Sequence, residues 1–172
     1  SGDLRNSYRL DLPTDAPPPP PDWERLPPLQ GTVRSESPSL LILAHRDYLR
    51  FTSDRAFIAE RFSFLKSCLL RQALEGGLLP FSGDETFRTA MSMAFGLPAA
   101  YAYEKKAYSA NSAFLYVAAA EALAEMAEAT GRPEEAAALR ERGRQVRAAT
   151  DARYVREPEG FYSPFLDRES GE

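Results

Sequence analysis

The chain has 172 residues and a formal net charge of −4, with 44% hydrophobic and 27% charged residues. These values are typical of one ordinary globular domain. The acidic balance predicts no nucleic-acid partner, because proteins that bind nucleic acids usually carry a basic patch. Cys68 is the single cysteine and His45 the single histidine, which excludes an internal disulfide and a histidine pair for zinc. No stretch of about 18 apolar residues occurs, so we expect no membrane partner.

Residues 1–37 are predicted to form an extended, proline-rich arm. Prolines fill positions 17–21, and proline lacks the backbone N–H that a helix interior requires. Trp23, Leu26 and Leu29 give the arm apolar groups to bury, so we expect it to lie along the domain surface. A disordered linker is the alternative. We expect Trp23 to dock this arm; the alternative is that it reaches the mouth of a pocket.

Helical spacing of apolar residues begins after the arm. The pattern predicts a first helix from Pro38 to about Phe51 and a second from about Asp54 to the glycines at 76–77. A short turn between them makes an antiparallel helical hairpin. His45 falls near the apolar stripe of the first helix, where we expect a packing role rather than a catalytic one.

The second half of the chain predicts another hairpin. After a short helical turn over 86–93, an alanine-rich helix runs from 109–111 to Thr130 and is closed by Gly131. A further helix covers about 134–153. The two halves resemble each other, since Thr52 recurs as Thr130 at an offset of 78 residues, and the loop at 77–84 recurs at 160–167. Such repeated units are expected to stack against one another.

The stretch 75–88 between the hairpins is predicted to carry function. Glycines and a proline prevent it from being helical, and loops held between rigid elements often carry binding and catalytic groups. It contains the adjacent acids Asp84 and Glu85, with Phe81 nearby and Arg88 one turn on. A structural alternative is that Asp84 caps a following helix, with Glu85 complementing the helix dipole.

Three phrases, at 48–57, 77–86 and 111–116 with the helix that follows, resemble the six-hairpin glycosidases. These are (α/α)6-barrel enzymes related to glucoamylases, processing glucosidases and rhamnosidases, and the resemblance spans roughly residues 36–168. It implies an all-α fold in which residues 38–172 form antiparallel helical hairpins of an (α/α)6 toroid. Because a closed toroid needs twelve helices, the segment is expected to be incomplete and part of a longer polypeptide.

The resemblance implies acid–base hydrolysis of a glycosidic bond in an oligosaccharide by carboxylates at one end of the toroid. Asp84 and Glu85 are the catalytic candidates. Their side chains diverge as sequence neighbours, so the second carboxyl group is expected from Glu36, Glu104, Asp167 or a missing segment. The candidates for sugar binding are aromatic, acidic, amide and guanidinium side chains: Phe81, Arg88, Tyr101, Tyr103, Glu104, Tyr108, Asn111 and Glu36. For the three tyrosines, packing at the rim is the alternative to stacking on sugars.

We expect no organic cofactor and no metal, with calcium held by loop carboxylates as an alternative. The expected partners are a carbohydrate substrate and the remaining helices of the toroid. Two other functions stay open: a non-catalytic helical-hairpin interaction scaffold, and another sugar-active toroid enzyme such as a phosphorylase, epimerase or lyase. The sequence leaves the cellular location unknown.

Overall fold

A computed structural model describes residues 36–81, 107–156, 160–163 and 165–167; of Phe81, Ala107, Phe165 and Asp167 it describes the backbone alone. Four helices dominate these residues: α1 (Ser37–Thr52), α2 (Arg55–Leu70), α3 (Ala110–Ala129) and α4 (Pro133–Tyr154). The prediction of an all-α fold built from helical hairpins is confirmed. No described helix combines the length and the apolar character that a membrane crossing requires.

Local sequence signals set most of the helix ends. Asp54 caps α2 by accepting a hydrogen bond from the backbone N–H of Phe57 at 2.9 Å, and Ser109 caps α3 through the N–H of Ser112. Pro133 opens α4, where its missing N–H leaves no bond unmade. Ser53 ends α1 in the left-handed conformation, with φ 58°. Each hairpin therefore turns where the sequence provides a cap.

The first and third helices run parallel, with their N-termini at the same end. Asn111 contacts Glu36 near the start of both helices, and Arg50 forms a bidentate ion pair with Glu125 near the end of α1. Glu36 and Arg50 are 14 positions apart, as are Asn111 and Glu125, so the two helices keep one register. Since α2 and α4 each follow a tight turn, they return antiparallel to α1 and α3.

The core is built around α3, which packs against α1, α2 and α4. Its buried face is rich in alanine, and small side chains let neighbouring helices approach closely. At the contact with α4, a Cβ placed on Gly143 would lie 3.3 Å from the Cβ of Ala120. Larger side chains from α1, α2 and α3 fill the remaining space, and the fully buried ones include Ile42, Ile58, Phe62, Leu65, Leu69, Leu123 and Met126.

The predicted extension of the second helix to the glycines at 76–77 is wrong, because α2 ends at Leu70. The buried side chain of Gln72 donates to the Cys68 carbonyl at 3.4 Å, which would otherwise accept the Gln72 N–H in a continuing helix. That N–H bonds the Leu69 carbonyl instead. A tertiary contact with Ser39 of α1, 3.5 Å from the same amide nitrogen, holds Gln72 in place.

Short strands lie between the two hairpins and after the second one. The helical spacing of apolar residues did not predict them. Strands β1 (Pro80–Phe81), β2 (Ala107–Ser109) and β5 (Phe165–Asp167) form an antiparallel sheet with β2 in the centre, and β3 (Val155–Arg156) pairs with β4 (Phe161–Tyr162). Because Ser109 both ends β2 and caps α3, the three-stranded sheet lies at the end where α3 begins. Of the predicted arm over 1–37, residues 1–35 lie outside the described residues, as does the helical turn over 86–93; Ser37 is already the first residue of α1.

Gly77 is expected to be the less replaceable of the two glycines before β1. Both have positive φ, 57° at Gly76 and 83° at Gly77, but a Cβ on Gly77 would lie 2.7 Å from the Cβ of Ala149 in α4, whereas Gly76 faces open space. Gly76→Ala should cost about 1 kcal/mol of unfolding free energy from backbone strain. Gly77→Ala should cost about 1–3 kcal/mol more because it also overpacks the contact with α4. Equal losses in urea denaturation would contradict this packing.

Candidate functional site

Only part of the predicted site falls within the described residues. Glu36, Tyr108 and Asn111 are described in full, and Phe81 by its backbone. The others lie outside: Asp84, Glu85, Arg88, Tyr101, Tyr103 and Glu104. Their proposed roles therefore stay predictions.

Glu36 and Asn111 come together at the N-terminal ends of α1 and α3. The Asn111 side-chain amide donates to Oε1 of Glu36 at 3.1 Å. Both residues precede or begin a helix, where unpaired backbone N–H groups and the helix dipole favour negative charge and oxygen ligands. A carboxylate next to an amide provides acceptors and donors of the kind that sugar hydroxyl groups bind. Two residues separated by 75 positions and predicted to bind substrate are thus brought into contact.

The three-stranded sheet holds both ends of segment 82–106, which contains Asp84 and Glu85. Phe81 pairs with Ala107 in the β1–β2 register, so the chain leaves and re-enters the sheet on adjacent strands. Ala107 also pairs with Asp167 of β5. Cα atoms of such opposed residues lie about 4.5–5.5 Å apart. The anchor points of the acidic segment, the backbone of Asp167 and the Glu36–Asn111 pair therefore share one end of the helices.

Tyr108 bonds a residue that the sequence did not single out as part of a site. Its hydroxyl donates to Oε2 of Glu75 at 3.1 Å. Glu75 itself closes a tight turn with Leu78 through two backbone hydrogen bonds, of 2.9 and 3.0 Å. The sequence feature that could have pointed to Glu75 is its position directly before Gly76 and Gly77. Tyr108 packs against the small cluster beneath the sheet, which matches the rim-packing alternative, and sugar stacking by this residue stays a prediction.

Tyr154, the last residue of α4, is completely buried beneath the same sheet with Leu78, Ala110 and Leu166. Its hydroxyl has no hydrogen-bond partner among the described residues. Burial raises the pKa of the phenol, and the nearby Tyr108 raises it further. The Tyr154 hydroxyl is thus a buried polar group inside an otherwise apolar cluster, against which Tyr108 also packs.

His45 and Cys68 contribute no chemistry at this end. The His45 ring donates to the Leu41 carbonyl at 2.9 Å and stacks on Phe57, as expected of a packing histidine. Cys68 is buried in the core, and burial raises its pKa to about 12. Across the described ranges, no group of three or more histidine, cysteine, aspartate or glutamate side chains is arranged to hold a metal ion.

Comparison with protein families identifies the relatives of the chain. The family described as "Mannosylglycerate hydrolase MGH1-like glycoside hydrolase domain" matches residues 83–171, which is 89 of the 172 residues. The chain belongs to this family. The match confirms the predicted resemblance, because this is a family of the six-hairpin glycosidase type. No curated protein and no solved structure matches the chain.

The family match assigns a glycoside hydrolase-like domain and indicates a carbohydrate substrate. It begins at Gly83, directly before the acids Asp84 and Glu85, and covers α3, α4 and β5. The match therefore includes both predicted catalytic residues. It also includes the three strands that follow α3.

Replacing Tyr154 with phenylalanine should cost little at neutral pH, since its hydroxyl has no described partner. Tyr116 is an equally buried control on α3, whose hydroxyl accepts a hydrogen bond from Arg142 of α4. Tyr154→Phe should leave the free energy of unfolding unchanged or slightly higher, whereas Tyr116→Phe should lower it by about 1–3 kcal/mol. A loss at Tyr154 as large as the loss at Tyr116 would show that its hydroxyl is satisfied.

The raised pKa of Tyr154 also predicts a dependence of stability on alkaline pH. In the unfolded chain the phenol loses its proton near pH 10, whereas in the folded chain it keeps the proton to higher pH. The contribution of the protonated Tyr154 phenol to the free energy of unfolding is therefore fully present below about pH 10 and is lost as pH rises above it. In urea titrations between neutral and strongly alkaline pH, Tyr154→Phe should lose less stability than the wild type. If the free energy of unfolding falls equally with pH in the variant and in the wild type, the raised pKa of Tyr154 is contradicted.

Proposed function

We propose that this chain provides the acidic part of the active site of a glycoside hydrolase that cleaves a glycosidic bond in a short oligosaccharide or glycoside. The observation that carries the proposal is the three-stranded sheet. It places the anchors of the acidic segment and the backbone of Asp167 at the end of α3 where the Glu36–Asn111 pair also lies. Together with the family match, this grouping supports a carbohydrate site at that end.

Hydrolysis requires one protonated carboxyl group and one carboxylate on opposite sides of the scissile bond. We assign the first to Asp84 or Glu85, with Glu36, Glu104 or Asp167 as candidates for the second within this chain. The acid protonates the leaving oxygen, and the carboxylate activates water or attacks the sugar directly. Phe81, Tyr101 and Tyr103 would offer faces for the sugar ring, and Glu104 and Asn111 would bind hydroxyl groups.

The name of the family suggests the first substrate to test. Mannosylglycerate carries a carboxylate on its aglycone, and Arg88 lies only three residues after Glu85. A guanidinium group binds carboxylates through two parallel hydrogen bonds. We therefore assign Arg88 to the acidic end of such a substrate. The remaining partners in the proposal are further helices, outside this chain, that complete the toroid.

Kinetics on two substrates would identify the acid. The protein, with any segments that flank this chain, should be assayed on mannosylglycerate and on an aryl mannoside with a good leaving group. Loss of the acid should lower kcat on mannosylglycerate by roughly 100-fold or more. It should lower kcat less on the aryl mannoside, whose leaving group needs little protonation.

The variants for this test are Asp84→Asn and Glu85→Gln. Glu134→Gln is the control, because Glu134 is an exposed acid in the first turn of α4. Unchanged kcat on both substrates in both variants, with folding intact, would remove these residues from the mechanism. An equal fall on both substrates would assign the affected residue to the second carboxylate.

Asn111 should contribute to substrate binding rather than to the chemical step. Asn111→Ala removes the amide bonded to Glu36 and should raise KM roughly 3- to 10-fold, the value of one hydrogen bond, with kcat nearly unchanged. Glu125→Gln weakens the link between the same two helices at their other end and is the matched control. If both variants raise KM equally, the effect is due to helix packing, and Asn111 has no role of its own.

A further inference from the structure

A groove between α3 and α4 is lined in part by aromatic side chains. It has a volume of about 280 Å³ and lies between Phe114 and Val117 of α3 and Arg147 and Asp151 of α4. Tyr162 of β4 closes one end, with its ring edge-on to Phe114 at a centroid distance of 5.0 Å. The Tyr162 hydroxyl donates to Asp151 at 2.6 Å, which fixes this ring across the groove.

The aromatic groups of this groove are exposed. Phe114 keeps 44% of its surface accessible, Tyr162 39% and the neighbouring Phe161 56%. Each buries much apolar surface when covered, and clusters of exposed aromatic side chains are typical of interaction sites. The groove is open to a ligand from outside the described residues.

The N-terminal arm is attached close to this groove. It joins the domain at Glu36, whose carboxylate contacts Asn111, and Phe114 lies three residues, or about 5 Å, farther along α3. Twelve residues separate Trp23 from Glu36, and an extended chain of that length spans at most about 40 Å. Residues 17–29 can therefore reach the groove without any rearrangement of the helices.

The chemistry of the arm complements the groove. Proline-rich segments bind in aromatic-lined grooves, because they are already extended and their rings pack on aromatic faces. The arm offers five consecutive prolines and the single tryptophan, Trp23, flanked by Asp22 and Glu24. Arg147 lies on the groove, 3.7 Å from Asp151 in an ion pair, and its side chain is 71% exposed, so its guanidinium group can also contact these acids and the indole ring.

We propose that residues 17–29 of the arm dock in the groove formed by Phe114, Val117, Arg147, Asp151 and Tyr162, with Trp23 packed against the two aromatic rings. In this arrangement the arm connects the start of α1 to the groove between α3 and α4. This inference is independent of the proposed hydrolysis, because none of the groove residues has a role in the proposed catalysis or substrate binding.

The fluorescence of Trp23 reports directly on the environment of this residue, since it is the only tryptophan in the chain. In the full chain, its fluorescence should be blue-shifted and several-fold less quenched by acrylamide than free indole. Phe114→Ala and Tyr162→Ala should each move both measurements toward the solvent-exposed values, with the helical circular dichroism retained. Raised salt should act in the same direction on the wild type, because it screens the charges around Arg147.

Phe51→Ala is the matched control, because Phe51 is 91% exposed near the C-terminal end of α1, away from the groove. It should leave the fluorescence unchanged. Three results would overturn the proposal: an exposed Trp23 in the wild type, no response to either groove variant, or a response to Phe51→Ala of the same size. A blue shift that disappears on dilution would identify a second copy of the chain as the occupant and would also overturn it.

Discussion

The arrangement of this domain depends on the close packing of α3 against three neighbouring helices. Its alanine-rich surface lets α1, α2 and α4 approach it, and the contact at Gly143 is tight, since an added Cβ would lie 3.3 Å from the Cβ of Ala120. The bulk of the core is then supplied by α1, α2 and the C-terminal half of α3. Because α1 and α3 lie side by side in one register, the residues directly before each helix lie at the same end of the domain.

Several residues from distant parts of the chain meet at that shared end. The start of α1 brings Glu36, the start of α3 brings Asn111, and β2 joins the segment 82–106 to the same helix. Surface ion pairs such as Arg50–Glu125 contribute little free energy by themselves. They are informative about geometry instead, since the Arg50–Glu125 pair shows that α1 and α3 pack in one register. A hydrolytic site needs groups from distant parts of a chain to meet, and parallel helices in register provide this.

Sequence reasoning succeeded where the signals were local. The caps at Asp54 and Ser109, the proline that opens α4 and the apolar spacing predicted four helices, and the resemblance to the six-hairpin glycosidases agrees with the family match. It failed where distant residues decide the outcome. The end of α2 is set by Gln72 reaching Ser39, 33 residues away, and the short strands pair segments too brief to show a period.

The roles of the residues named for the site stay predictions, although the structure shows how some of them are placed. The contact between Glu36 and Asn111 joins two of the named residues, but the partnership of Tyr108 with Glu75 depends on a turn and a strand that helical spacing does not predict. The roles of Asp84 and Glu85 are proposals that depend on the segment between β1 and β2. The strands on either side place the two ends of that segment where α3 begins, and the proposed chemistry of Asp84 and Glu85 depends on those two anchor points.

The most direct test is a crystal structure of the protein bound to an iminosugar that mimics the positively charged transition state of glycoside hydrolysis. We expect the sugar ring to lie at the N-terminal ends of α1 and α3, with Glu36 or Asn111 and a carboxylate from 84–85 within hydrogen-bond distance of it. A ring bound elsewhere on the domain, with these groups distant from it, would show that this end of the helices is not the sugar site.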